Sequence, residues 1–67
     1  MLENNLKDLR LKRKLTQKQL AKLSDVKLYY IFRLENNLLF HNLTVLCKLA
    51  DFFNVSVDYL LARHKNN

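Results

Sequence analysis

The chain has 67 residues, one small domain's worth, and a chain of that size hides roughly 60% of its unfolded surface on folding. It contains no glycine and no proline. That excludes collagen-like, linker-like and glycine-rich phosphate-loop designs and weighs against an all-β fold, whose tight turns lean on both residues. Twelve Lys and Arg against six acids give a net charge of +6, and the single cysteine, Cys47, excludes an intrachain disulfide or a cysteine-rich zinc site.

Sixteen leucines and eight asparagines occupy much of the chain, and helical periodicity with Asn, Asp, Ser and Thr as punctuation predicts an all-α bundle. Leu6 and Leu9, with Leu2 one turn earlier, mark a first amphipathic helix over about residues 5–14. Thr16-Gln17-Lys18-Gln19 has the form of a capping box that starts a second helix, with Leu20, Ala21 and Leu23 toward its buried side and an end near Ser24-Asp25. A third helix is expected over about 28–36, burying Ile31 and Leu34 and stopping at Asn36-Asn37. Asn42 is placed to cap a fourth, whose apolar stripe is Leu43, Leu46, Leu49, Ala50 and Phe53, with Cys47 buried beside it and Asn54 at its end. Ser56 caps a fifth helix carrying Leu60 and Leu61, before a polar tail over 64–67. The whole of 1–67 is expected to be a single domain.

The charge is uneven. Nine basic residues and three acids precede Leu34, and three of each follow from it, so the entire excess lies in the first half. Such asymmetry suits a polyanion, either nucleic acid or an anionic surface, although a solvated basic face that only aids solubility has the same composition. The N-terminal sequence lacks an apolar signal-peptide core, and the longest unbroken apolar run, Leu28 to Phe32, is far below the ~18 residues of a membrane span. A cytoplasmic, nucleoid-associated protein without membrane contact is expected. His41, His64 and Cys47 form neither a metal spacing nor a nucleophile–base–orienter set, so no enzyme activity, metal or cofactor is expected.

The few residues between the second and third helices force a steep crossing, with small Ala21 at the close approach and Leu20, Val26, Ile31 and Leu34 as an apolar wedge. On Leu15-Thr16-Gln17, Leu20-Ala21, Val26, Ile31, Arg33-Leu34-Glu35-Asn36, Leu46, Leu49-Ala50, Val55-Ser56-Val57-Asp58 and Leu60-Leu61, the chain resembles the Cro and phage-repressor family, the lambda-repressor-like or Xre-type helix-turn-helix domains. The resemblance covers residues 6–61. It implies a compact five-helix bundle with the helix-turn-helix at about 17–36. It also implies that Gln17 meets a phosphate at the start of the second helix, and that Lys27, Leu28, Tyr29 and Arg33 face base edges and phosphates. Arg10 and Glu35 match a structural ion pair of the family.

The departures from the family are as informative. Lys14, Asp25, Asn37 and His41 stand where relatives commonly carry glycine or proline, so Asp25 and Asn37 are expected in left-handed or distorted helix ends. Ser24 replaces a common apolar residue, and Lys27 replaces a Ser or Thr cap. The expected reading helix is apolar, with Leu28, Tyr29, Tyr30 and Phe32, and Leu38-Leu39-Phe40 follows where relatives are basic. Tyr29, Phe32 and Leu28 suit thymine methyl groups, and Arg33 suits a guanine edge or a phosphate. Leu38, Leu39 and Phe40, joined by Phe52, suit a dimer or partner surface; burial under the small core is the alternative for the loop. Lys18 and Lys22 are i,i+4 neighbours that repel unless an anion lies between them.

The function these observations imply is sequence-specific regulation of transcription. A homodimer, of bacterial, phage or mobile-element origin and acting as a repressor, would place the third helix in the major groove of a pseudo-palindromic double-stranded DNA operator. With no segment left for an effector domain, control would come from concentration, dimerisation or a separate protein such as an antirepressor. The alternative is a protein-interaction module or antitoxin-like partner on the same fold, its apolar third helix and Leu38-Leu39-Phe40 loop binding protein instead of bases.

Overall fold

The computed structural model describes residues 5–38 and 42–61. Five helices follow one another: α1 Leu6–Lys12, α2 Gln17–Ser24, α3 Leu28–Glu35, α4 Leu43–Phe53 and α5 Val57–Leu60. Three of the starts are fixed by side chains. The Thr16 hydroxyl accepts from the Gln19 amide at 3.0 Å while the Gln19 side chain accepts from the Thr16 amide at 2.8 Å, a complete capping box. Asn42 accepts from the Val45 amide at 3.2 Å and Ser56 from the Tyr59 amide at 3.0 Å. Each such cap contributes ~1 kcal/mol by satisfying a first-turn amide that no helix carbonyl can reach.

The other ends share one construction. α1, α2, α3 and α4 are followed by Lys14, Asp25, Asn37 and Asn54 with φ of 57°, 60°, 58° and 56°. The next residue then donates back into the helix: Leu15 to the Arg10 carbonyl, Val26 to Ala21, Leu38 to Arg33 and Val55 to Ala50, at 2.9–3.2 Å. This is the Schellman motif, whose left-handed residue is usually glycine and whose following residue is apolar. Here all four following residues are apolar and none of the left-handed ones is glycine. Left-handed backbone at Asp25 and Asn37 agrees with the expectation from sequence.

The core forms where the helix faces converge. Leu6, Leu20, Ile31, Leu49 and Leu60 are fully buried, one from each helix, surrounded by Val26, Leu34, Val45, Leu46, Ala50 and Phe53. Removing one such side chain from water stabilises the fold by about 1.5–3 kcal/mol. α3 packs on α1 and α2, and α4 on α2 and α5. The Asn5 amide donates to the Leu60 carbonyl at 2.9 Å and its side chain to the Tyr59 carbonyl at 2.6 Å, so the start of α1 is tied to α5.

Three expected burials are corrected. Leu23 is 59% exposed, and the buried position on α2 belongs instead to Ser24, whose hydroxyl donates to the Leu20 carbonyl at 2.6 Å. At 100° per residue, Ser24 lies inside the arc from Leu20 to Ala21, and Leu23 lies about 60° outside it. On α4 the buried arc runs from Val45 through Leu49, Phe53 and Leu46 to Ala50. Leu43, at the first turn, is 64% exposed, and Cys47, about 60° past Ala50, is exposed as well.

Candidate nucleic-acid interface

The turn between α2 and α3 contains Asp25, Val26 and Lys27. The left-handed Asp25 reverses the chain, and buried Val26 then drops into the core. Half-buried Ala21 packs against that core, where a small side chain lets α3 come close. Lys48 of α4 reaches over this turn, with Nζ donating to Asp25 Oδ2 at 3.2 Å and to the Asp25 carbonyl at 3.3 Å. Both side chains are solvated, so the pair is worth at most about 1 kcal/mol. Lys22, Lys27 and Lys48, with Ala21, Asp25 and Val26, line an open hollow at the turn.

The relative placement of α1, α2 and α3 rests on one buried polar network. Arg10 Nε donates to Glu35 Oε2 at 2.6 Å and Arg10 Nη2 to Glu35 Oε1 at 2.9 Å, a bidentate pair whose side chains are 9% and 3% exposed. Arg10 Nη1 donates to the Leu15 carbonyl at 2.8 Å, and Gln17 Nε2 donates to Glu35 Oε1 at 3.0 Å. The hydrogen bonds that Arg10 donates to Glu35 raise the Arg10 pKa above its ordinary value, against the opposing effect of burial. A raised pKa keeps the arginine charged, so its share of the stabilisation is lost only above the ordinary arginine range. The expected Arg10–Glu35 pair is therefore present, and Gln17 is a third member that the sequence did not reveal.

Gln17, expected to meet a phosphate at the start of α2, also takes part in this network. Its side-chain amide is directed to Glu35 rather than left to solvent. What α2 offers outward is its first turn: Thr16 satisfies the Gln19 amide, and the Gln17 and Lys18 amides are those that a helix N-terminus leaves without an intrahelical carbonyl. Lys18 and Lys22 are exposed.

The outer face of α3 carries the expected reading residues. Lys27, at the N-cap, is exposed and makes no side-chain cap bond. Leu28, Tyr29 and Phe32 are exposed, Tyr29 by 60%, while Ile31 and Leu34 are buried on the opposite side. Arg33 is half-buried, its guanidinium carbon 5.5 Å from the centroid of the Tyr29 ring. Tyr29 in turn meets Tyr30 edge to face at 5.6 Å. Lys27, Leu28, Tyr29, Phe32 and Arg33 thus form one continuous outward surface at helical spacing.

The expected partner surface is only partly described. Leu38 is exposed, whereas Leu39 and Phe40 lie outside the described residues, as does His41. Phe52 is corrected from exposed to half-buried: it packs against the core, and Arg13 covers it with its guanidinium carbon 5.2 Å from the Phe52 centroid and 4.9 Å from that of Phe53. Arg13 also donates to the Phe52 carbonyl at 3.3 Å. Nothing local in the sequence signals this contact, because its partners lie far apart along the chain. Among the described residues no group of three or more His, Cys, Asp or Glu could hold a metal ion, and no helix is long and apolar enough to cross a membrane.

A capped helix, a left-handed turn and a second helix with a solvated outer face define a helix-turn-helix DNA-binding domain. The helix-turn-helix family model matches residues 6–60, and the chain belongs to that family, of the Cro and phage-repressor type. No curated protein matches the chain.

Proposed function

We propose that this helix-turn-helix protein is a sequence-specific repressor of transcription that binds a pseudo-palindromic operator as a homodimer, with α3 in the major groove. The observation that carries this reading is the outward surface of α3, where Lys27, Leu28, Tyr29 and Phe32 are exposed and Arg33 is half-buried beside Tyr29, while Ile31 and Leu34 anchor the helix behind them. In this arrangement the first-turn amides of Gln17 and Lys18 and the ammonium groups of Lys18 and Lys27 hold phosphates. Arg33 reads a guanine edge, and Leu28, Tyr29 and Phe32 lie against thymine methyl groups. The excess of positive charge before Leu34 supplies the sequence-independent part of the affinity. The dimer joins through Leu38 and the apolar residues beside it.

Selection of bound sequences from a random duplex pool, followed by titration of the winner with salt, tests the proposal. The expected result is a two-fold symmetric motif and a slope of log K against log salt near −0.9 per phosphate contacted. Absence of any preferred sequence at ~50 mM salt would sink it. The second reading, a protein-interaction module, draws on the exposure of Leu28, Tyr29 and Phe32 on α3 and of Leu38 after it, apolar groups of the kind that bind protein. A chain that selects no DNA and associates through these residues would support it.

A further inference from the structure

Resting on that proposed mode of DNA reading, we infer that Tyr29 is a positioning residue for Arg33, and that the two act as one guanine-reading unit. Tyr29 and Arg33 are i,i+4 neighbours on α3, and the guanidinium carbon stands 5.5 Å from the Tyr29 ring centroid, within the range of a cation–π contact. Stacking uses the face of the guanidinium. Its N–H donors lie in the plane, so a guanidinium held by its face can still make a bidentate contact with guanine O6 and N7.

The ring that holds Arg33 is itself held. Tyr29 meets Tyr30 edge to face at 5.6 Å, and Tyr30 is half-buried against the core. A chain of contacts therefore runs from the core through Tyr30 and Tyr29 to Arg33. A long arginine side chain otherwise has several rotamers, which must be frozen when a base is bound. A preformed stack removes part of that loss for the one trajectory it supports. Tyr29, 60% exposed, contributes little to the core, which leaves its ring available for this role.

The test is base preference at each operator position for wild type, Tyr29→Leu, Tyr29→Phe, Arg33→Ala and the Tyr29→Leu/Arg33→Ala double variant. Circular dichroism checks that each folds. Arg33→Ala should abolish a guanine preference of about 5- to 150-fold at one base pair. Tyr29→Leu should lower the preference at that same pair by about 2- to 5-fold, the worth of an exposed cation–π contact. Tyr29→Phe should restore it, because the stack needs the ring and not the hydroxyl. Once Arg33 is gone, Tyr29→Leu should have no further effect at that position.

Three outcomes would overturn the coupling while leaving DNA reading intact: Tyr29→Leu silent at the Arg33 position, Tyr29→Leu altering a different position only, or Tyr29→Phe failing as badly as Tyr29→Leu. A wild-type protein that selects no motif would overturn the proposed function and this inference with it.

Discussion

The four left-handed helix ends give a prediction whose size follows from the backbone. Lys14 has φ 57° and its side chain is solvated. A residue with a Cβ in this region is strained by roughly 1–2 kcal/mol, and lysine lacks the short polar side chain that eases the conformation. Lys14→Gly relieves that strain but gives the unfolded chain more freedom, which returns about 0.4–1 kcal/mol. The expected net gain is ~0.5–1 kcal/mol, or a rise in Tm of roughly 2–8 °C for a domain of this size. Asn37→Gly and Asn54→Gly should gain less, because asparagine tolerates φ near 58° and 56°. Asp25→Gly should also gain, offset by loss of the solvated Lys48 contact, worth at most about 1 kcal/mol. Thermal unfolding followed by circular dichroism measures all four, with Lys14→Val as the opposing control, since a β-branched residue at this φ should lower Tm. If Lys14→Gly and Lys14→Val left Tm alike, the Schellman end after α1 would not carry the strain assigned to it.

Three further outcomes follow from named contacts. Thr16→Ala removes one half of the capping box on α2 and should cost ~1 kcal/mol in urea unfolding; no change would mean that water replaces the cap. Glu35→Gln replaces one of two acceptor oxygens with an NH2 donor that faces the donors of Arg10 and Gln17, and leaves a buried guanidinium uncompensated. The loss should be about 3–5 kcal/mol, against about 3–10 kcal/mol of total stability for a chain this long, so the variant should be largely unfolded at 37 °C; a native Tm would exclude that. On selected DNA, Lys18→Ala should weaken all sequences alike and lower the salt slope by about 1, whereas Arg33→Ala should relax preference at one base pair; equal losses on every sequence from both would make Arg33 a phosphate contact.

Much of the fold was legible because it is written in short polar residues. Thr16, Asn42 and Ser56 each announce a helix start, and each makes the expected bond. Asn36-Asn37 and Asn54 announce ends for a related reason, since asparagine tolerates the left-handed region. Helix phase was less legible. Leucines are so numerous that several faces of α2 and α4 look apolar, and Leu23 and Leu43 are solvated while Ser24 is buried. A buried serine inside a helix can satisfy its hydroxyl on the carbonyl four residues earlier, so polarity alone misplaces it. In the candidate interface, the family resemblance pointed Lys27, Leu28, Tyr29 and Arg33 toward DNA, and the structure leaves the first three exposed and Arg33 half-buried. The Gln17–Glu35 bond and the Arg13 stack on Phe52 and Phe53 were not readable, because tertiary packing alone brings those residues together.

The Arg10–Glu35–Gln17 network also bears on recognition, and its two roles can be separated. It joins α1, the first turn of α2 and the last turn of α3, so it fixes the angle between the helix end assigned to phosphate and the face assigned to bases. Replacing both charges together, Arg10→Met with Glu35→Leu, removes the buried ions and their desolvation, a change that is often neutral or stabilising. The Leu15 carbonyl and the Gln17 amide lose their partners, at a cost of about 1–3 kcal/mol each only if water cannot reach them. The double variant should therefore be far more stable than Glu35→Gln, within a few kcal/mol of wild type. Its freed Gln17 no longer ties α2 to α3, and operator affinity should fall even though the helices remain formed. Paired urea unfolding and DNA titration separate the two effects. A double variant that folds and binds its operator as tightly as wild type would confine the network to stability and return the setting of the helix angle to the apolar wedge of Leu20, Val26, Ile31 and Leu34.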